Sequence, residues 1–137
     1  MTTTQPVAVI TGASQGIGEA LVTAYRKMGY AVVANSRSIE ASDDPMVLAV
    51  AGDIGQAGVG RRVIDAAVER FGRVDTVINN AGIFIAKPFT QYSAADYAAV
   101  LGINLAGFFH ITQRAIAATA RCVMWKKPAT LTPRMAA

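Results

Sequence analysis

Thr11-Gly12-Ala13-Ser14-Gln15-Gly16-Ile17-Gly18 is the stretch on which the reading of this chain turns. It follows a short apolar run, Val7 to Thr11, and it opens an apolar stripe at helical spacing: Ile17, Ala20, Leu21, Ala24, Tyr25 and Met28. A buried strand therefore passes into a helix through a cluster of glycines. The first turn of such a helix presents unpaired N–H groups and the positive end of the helix dipole, which together suit a phosphate. A side chain would hold the backbone off that anion, so glycine is the expected residue. On this reading Gly12 turns the chain sharply out of the strand, Gly16 permits close approach, and Gly18 seats the helix on the sheet. Ser14 and Gln15 add donors, and the expected ligand is a dinucleotide presenting its pyrophosphate. The spacing, T-G-x-x-x-G-x-G, differs from the common G-x-G-x-x-G fingerprint.

Outward from that loop, strand and helix patterns alternate. Gly29 ends the first helix, and Tyr30 to Asn35 reads as a second strand. A polar, turn-rich connection from Ser36 to Pro45 leads to a third strand, Met46 to Ala51, closed by Gly52-Asp53. Val59, Val63, Ile64, Ala67, Val68 and Phe71 form a second helical stripe, ended by Gly72. Val74 to Ile78 is a fourth strand running into Asn79-Asn80-Ala81-Gly82. Beyond Lys87-Pro88 a long helical region extends from about Ser93 to Ala120, with Val100, Leu101, Asn104, Leu105, Phe108, Phe109 and Thr112 on one face. Continuous apolar strands separated by helices predict an α/β fold, a Rossmann-like doubly wound parallel sheet. The expected organisation is a nucleotide-binding half over residues 1–120, with the sheet truncated after about four strands, and a basic tail over 121–137 that departs from the pattern.

Composition narrows the function classes. The chain has 137 residues, 53% hydrophobic and 16% charged, which fits one folded domain rather than a disordered segment. Residues 1–120 hold nine Lys/Arg and nine Asp/Glu, so the net +4 comes entirely from Arg121, Lys126, Lys127 and Arg134. A neutral body argues against a nucleic-acid partner. No run of about 18 apolar residues predicts a membrane span, and Met1 to Pro6 has no secretory pattern. Cys122 is the only cysteine, which excludes an intrachain disulfide and makes the cytoplasm the expected location. The single histidine, His110, has no spaced metal ligand or acid partner, and Asp43-Asp44 reads as solvated; no metal is expected.

Three motifs in order, T-G-A-S-Q-G-I-G at 11–18, N-N-A-G at 79–82 and Asn-Leu-Ala-Gly-Phe-Phe at 104–109, resemble the short-chain dehydrogenase/reductase family over about residues 5–120. The resemblance implies hydride transfer between NAD(P) and a small carbonyl or alcohol substrate. It implies that Gly12, Ser14, Gln15, Gly16, Ile17 and Gly18 cradle the pyrophosphate, that Asp53 and Ile54 hold the adenine, and that Asn80, Ala81 and Gly82 line the ribose side. Asn79 ties the fourth strand to its neighbours, and Asn104 matches a catalytic asparagine at a helix distortion. Family members that prefer NAD carry an acid just after the second strand; here Ser36 and Arg37 stand there, with no acid before Glu40. A guanidinium suits a 2′-phosphate, so NADP is expected ahead of NAD.

The same resemblance implies a serine and a Tyr-x-x-x-Lys pair for the proton chemistry. Tyr25, Tyr30, Tyr92 and Tyr97 are followed four residues later by Gly29, Ala34, Asp96 and Leu101, so the pair is absent from this sequence. The composition shift near Arg121 suggests a change of reading frame. The expected outcome is a cofactor-binding chain with impaired turnover, unless another chain completes it. A third reading is a non-catalytic module pairing with a full-length relative. The family often packs the helix at 93–120 against a second subunit, so a homo-oligomer through that helix is a further expectation.

Overall fold

The computed structural model describes residues 2–122, with side chains in the last helix as far as Thr119. Strands β1 (Val7–Thr11), β2 (Ala31–Ser36), β3 (Val47–Ala51) and β4 (Thr76–Ile78) form one parallel sheet in the order β3-β2-β1-β4. Helices α1 (Gly16–Lys27) and α2 (Val59–Phe71) follow β1 and β3. After β4 the chain runs through a short turn at Phe89–Gln91 into α3 (Ala94–Leu101), a π-helical segment at Gly102–Gly107, and α4 (Phe108–Cys122). The expected basic tail lies outside the described residues apart from its first two positions.

Strand alternation builds a core on each face of the sheet. Val7, Val9, Ala31 and Val33 point to the face covered by α2 and α4, where Val63, Ile64, Ala67, Ile111, Ala115 and Ala118 join them. Ile10, Val32 and Ala34 point to the other face and meet Leu21, Val22 and Tyr25 of α1. The stripe read from the sequence is right at Leu21 and Tyr25 but not at its ends. Ile17 is 74% exposed and Met28 61% exposed, and the helix instead sits down through Gly18, Leu21, Val22 and Tyr25. Ile17 belongs to the first turn, which faces the open end of the sheet rather than its surface.

The long helix turns the apolar face read from its sequence outward. Leu101, Leu105, Phe108 and Phe109 are exposed, whereas Gly107, Ile111, Ala115 and Ala118 are buried. Contact between helices decides this. A Cβ on Gly60 of α2 would lie 2.9 Å from the Ile111 backbone N and 3.0 Å from its Cα, so the two helices cross backbone to backbone there. That approach turns the small residues inward and leaves the aromatic stripe outside. By length and composition alone the helical run Ala94–Thr119 is apolar enough to cross a bilayer, a test that helices of soluble proteins also pass; its mean hydropathy is 1.3 and 11% of that window is buried.

Smaller differences have local causes. β4 begins at Thr76, not Val74, because the Val74 carbonyl accepts from Thr119 Oγ1 at 3.3 Å. Asp44 is not simply solvated: Arg26 Nε donates to its Oδ2 at 2.8 Å and the Met46 N–H to its Oδ1 at 2.8 Å, pinning the β2–β3 connection to α1. That connection, residues 37–46, has no helix, unlike most parallel crossovers.

Replacing Gly60 with valine should cost about 1–3 kcal/mol, the usual penalty of overpacking a closed contact. Thermal or urea unfolding reads this; an unchanged midpoint would contradict the crossing described.

Candidate functional site

The order β3-β2-β1-β4 reverses direction between β1 and β4, and the crevice of an open α/β sheet lies beyond the strand ends at such a point. The structure has a groove of about 450 Å³ there. Gly12, Ser14, Gln15, Gly16, Ile17 and Gly18 form its floor, Ser36 and Arg37 one end, Asp53 and Ile54 a side, and Asn80, Ala81 and Gly82 the opposite wall. Every cofactor position expected from sequence therefore lines the same groove. Asn35, Ser38, Gly52, Ile83 and Ile103 line it as well and were not anticipated.

The floor is held from behind. Asn80 Nδ2 donates to the Thr11 and Gly12 carbonyls, both at 3.1 Å, and the Thr11 hydroxyl accepts from the Ala81 N–H at 3.0 Å. The loop therefore hangs on the end of β4. Gly18 lies so close that a Cβ there would fall 2.0 Å from the Gly12 carbonyl oxygen. Gly12 itself has φ +65°, and a Cβ on it would meet the Ala81 Cα at 2.9 Å. Gly16, at φ +57°, differs: nothing lies within 4 Å of its would-be Cβ. The start of α1 is also bare, since Gln15 precedes it with no side-chain cap. Unpaired N–H groups and an open approach are what an anion needs.

The far end of the groove carries a second unmet polar group. Ser36 Oγ is buried with no hydrogen-bond partner, and the adjacent Arg37 is exposed and makes no ion pair among the described residues. A buried hydroxyl without a partner is costly, and Gln5 Oε1, outside the groove, is in the same condition. Asn35, fully buried, donates to the Val50 and Gly52 carbonyls at 2.9 and 3.1 Å and fixes the β2 and β3 ends that frame this corner. Its signal in the sequence was an amide inside an otherwise apolar strand. Asp53 spends one oxygen on the Gly55 N–H at 2.9 Å. Ile54 touches Gly107 so closely that a Cβ on that glycine would lie 2.9 Å from the Ile54 carbonyl oxygen.

Asn104 stands on the π segment, behind the wall rather than in it. Its Oδ1 accepts from the Ile83 N–H at 2.8 Å and its Nδ2 donates to the Ile83 carbonyl at 2.9 Å. The helix distortion expected from resemblance is thus present, and both ends of the amide grip one groove residue. Asn79 Nδ2 donates to Thr112 Oγ1 at 3.1 Å and ties β4 to α4. Past Ile83 the loop is clamped at Asp96, which accepts from Lys87 Nζ at 2.6 Å and from the Ser93 N–H and hydroxyl, both at 2.8 Å. Lys87 first, and then Ser93, hold the Asp96 carboxyl down at about 2. Phe84 and Phe89 stand outside as exposed rings, not as a pocket lining.

A family model described as short chain dehydrogenase matches residues 6–123, and the chain belongs to that family. Proteins of this fold bind NAD(P). An uncharacterized oxidoreductase of Methylorubrum extorquens is 37% identical over 119 residues, which is 80% of this chain and 48% of that protein. The crystal structure of a short-chain dehydrogenase/reductase from Brucella melitensis, described as glucose/ribitol dehydrogenase, superposes with a TM-score of 0.79 at 29% identity, over 87% of this chain and 55% of that one. A blue fluorescent protein from a metagenomic library, solved in complex with NADPH, gives 0.74 at 28% identity over 83% of this chain and 51% of its own. The chain spans about a third to a half of the length of the curated relatives it matches.

Gly18→Ala should displace the loop from Asn80 and lower stability by about 1–3 kcal/mol in chemical unfolding. Wild-type stability in that assay would show that the loop and helix are further apart than described. The Asp96 clamp makes a pH prediction. Its folded pKa lies below the ordinary 3.8, so its contribution is complete above 3.8 and disappears as pH falls towards about 2. NMR titration of the Asp96 carboxyl should show the low midpoint, and Lys87→Ala should move it up towards the ordinary value; no movement would remove Lys87 as the main cause.

Proposed function

We propose that this chain is the NADP(H)-holding portion of an oxidoreductase acting on a small carbonyl or alcohol. The observation that carries the reading is the uncapped start of α1 at the groove floor, with Gly16 open above it. The N–H groups of the first turn would receive the pyrophosphate, with Gly12 and Gly18 shaping the floor and Ser14, Gln15 and Ile17 its rim. Asp53 and Ile54 would meet the adenine, and Asn80, Ala81 and Gly82 would border the ribose. The partnerless Ser36 hydroxyl beside Arg37 favours the 2′-phosphate of NADP over the bare ribose of NAD. The blue fluorescent relative solved with NADPH agrees with this preference.

A bound nicotinamide supplies or accepts hydride; this chain's residues bind and orient it. Asn104 acts through Ile83, as a positioning residue that sets the wall beside Gly82. The sequence offers no Tyr-x-x-x-Lys pair, so proton transfer to the substrate oxygen has no donor here of the kind the family resemblance implies. Losing a positioned acid or base typically lowers rate by about 10²–10⁴. The chain alone should therefore bind cofactor and turn over poorly.

Titration with NADPH and NADH by calorimetry tests this. NADPH should bind about tenfold or more tightly, because a charge-assisted pair with the extra phosphate contributes about 1.5–3 kcal/mol. Arg37→Ala should bring the two affinities within a few-fold, and Gly16→Val should abolish both. Equal binding of the two cofactors by the wild type would defeat the NADP preference, and retained binding in the Gly16 variant would defeat the loop assignment.

A further inference from the structure

We propose that Arg62 is a further cofactor-binding residue, whose guanidinium bounds the adenine end of the groove from the side of α2. The inference rests on the cofactor reading above. Arg62 belongs to none of the three sequence motifs and stands just outside the groove lining. Strand alternation sets the two sides of that end. On β2, Val32 and Ala34 face α1, and Ser36 continues their row. On β3, Leu48 and Val50 pack into the core beneath α2, and Gly52 continues theirs. The surroundings of Gly52 agree with this. A Cβ there would lie 2.9 Å from Val59 Cγ1 and would run into Arg62 Nη2, both on α2. The guanidinium therefore fills the place that a side chain at 52 would take, directly against a residue that lines the groove.

Arg62 is held at this point by a carbonyl rather than an acid. Its Nη2 donates to the Ala51 carbonyl at 2.6 Å, and it makes no ion pair among the described residues. The carboxylate one turn on, Asp65, pairs instead with Arg61 and Arg114. Gly52 is gripped from its other sides as well. Its N–H donates to the Ser36 carbonyl at 2.9 Å, and Asn35 Nδ2 donates to its carbonyl at 3.1 Å. The end of β3 is thus pinned, with an exposed planar cation against it. A guanidinium is weakly hydrated and stacks on aromatic faces. Adenine is a flat, uncharged π system, and Asp53 and Ile54, the residues assigned to it, follow Gly52 directly. A division of labour results: Ser36 and Arg37 serve the ribose 2′ position, and Arg62 serves the base, which NAD and NADP share.

Calorimetric titration of the full chain with NADPH and NADH, alongside NMR of the chain with NADPH bound, tests the assignment. Arg62→Ala should weaken NADPH and NADH by the same factor, about three- to tenfold, in contrast to the loss confined to NADPH expected of Arg37→Ala. The double variant Arg62→Ala with Gly52→Ala should bind no worse than the weaker of the two single variants, because a methyl at 52 evicts the same guanidinium that the other substitution removes. The Hδ protons of Arg62 should show a nuclear Overhauser contact to adenine H2 or H8, which a purely structural arginine would not give. Unchanged affinity in Arg62→Ala, a loss confined to NADPH, additive losses in the double variant, or a missing Overhauser contact would overturn the proposal. A wild type that binds neither dinucleotide defeats the cofactor reading and this inference together. A chain that binds NADPH as tightly after Arg62→Ala as before defeats this inference alone.

Discussion

The close approach of Gly12, Gly18 and Asn80 is the constraint on which the rest of the molecule depends. A Cβ at Gly18 would sit 2.0 Å from the Gly12 oxygen, and that same oxygen accepts from Asn80 Nδ2 at 3.1 Å. Three segments thus converge on one carbonyl: the end of β1, the first turn of α1 a few residues later, and the turn after β4, 68 residues away from Gly12. If they separate, α1 no longer starts at the groove floor, and β4 loses its anchor to the loop. The carbonyl of a turning residue needs a partner once it is taken from water, and the Asn80 amide supplies it. The hydrogen bond and the glycine contact therefore support each other: the tight turn makes the carbonyl reachable, and the amide keeps the turn tight.

A second set of close contacts links the groove to the helices behind it. Gly55 meets Ile103, Gly107 meets Ile54, and Gly60 meets Ile111. The β3–α2 loop is in this way pressed against the π segment and the start of α4. The distortion at Gly102–Gly107 has a clear local result, since it places Asn104 where both ends of its amide reach Ile83. An ideal helix through this stretch would change the phase of every later residue by a fraction of a turn. Ile111, Ala115 and Ala118 would then leave α2. The bulge consequently serves the groove wall and the helix packing at once.

These contacts explain which parts of the fold were legible in the sequence. Strand and helix order were readable because buried parallel strands are continuous apolar runs and the helices between them end in glycine. The phosphate loop was readable because its glycines stand in a fixed relation to a strand and a helix. The helix faces were not. On α1 the outer members of the expected stripe, Ile17, Ala20, Ala24 and Met28, are as apolar as its correct members Leu21 and Tyr25, and only the loop geometry separates them and adds Gly18 and Val22. Along the long helix the aromatics lie outside and burial goes to Gly107, Ile111, Ala115 and Ala118, because Gly60 lets the Ile111 backbone come close. Asn35 and Ser36 could be noticed in the sequence, but not that the first is bonded to the Val50 and Gly52 carbonyls and the second has no partner, since only the strand register reveals this.

The imbalance between the two sides of the sheet follows from the same packing. β1 and β2 are covered on both faces and their residues are almost wholly buried, whereas all three residues of β4 are only partly so. Apolar side chains left at a free edge gain little from burial, and a three-residue strand adds few ladder bonds of its own. What holds β4 in place is polar: the Asn80 amide on the phosphate loop, the Asn79–Thr112 bond to α4, and Asp75, which accepts from the Val7 N–H at 2.8 Å at the start of the strand. Each of these ties reaches back towards β1 or α4, and none reaches outward. Among the described residues, the strand that carries one wall of the groove is therefore fixed from within.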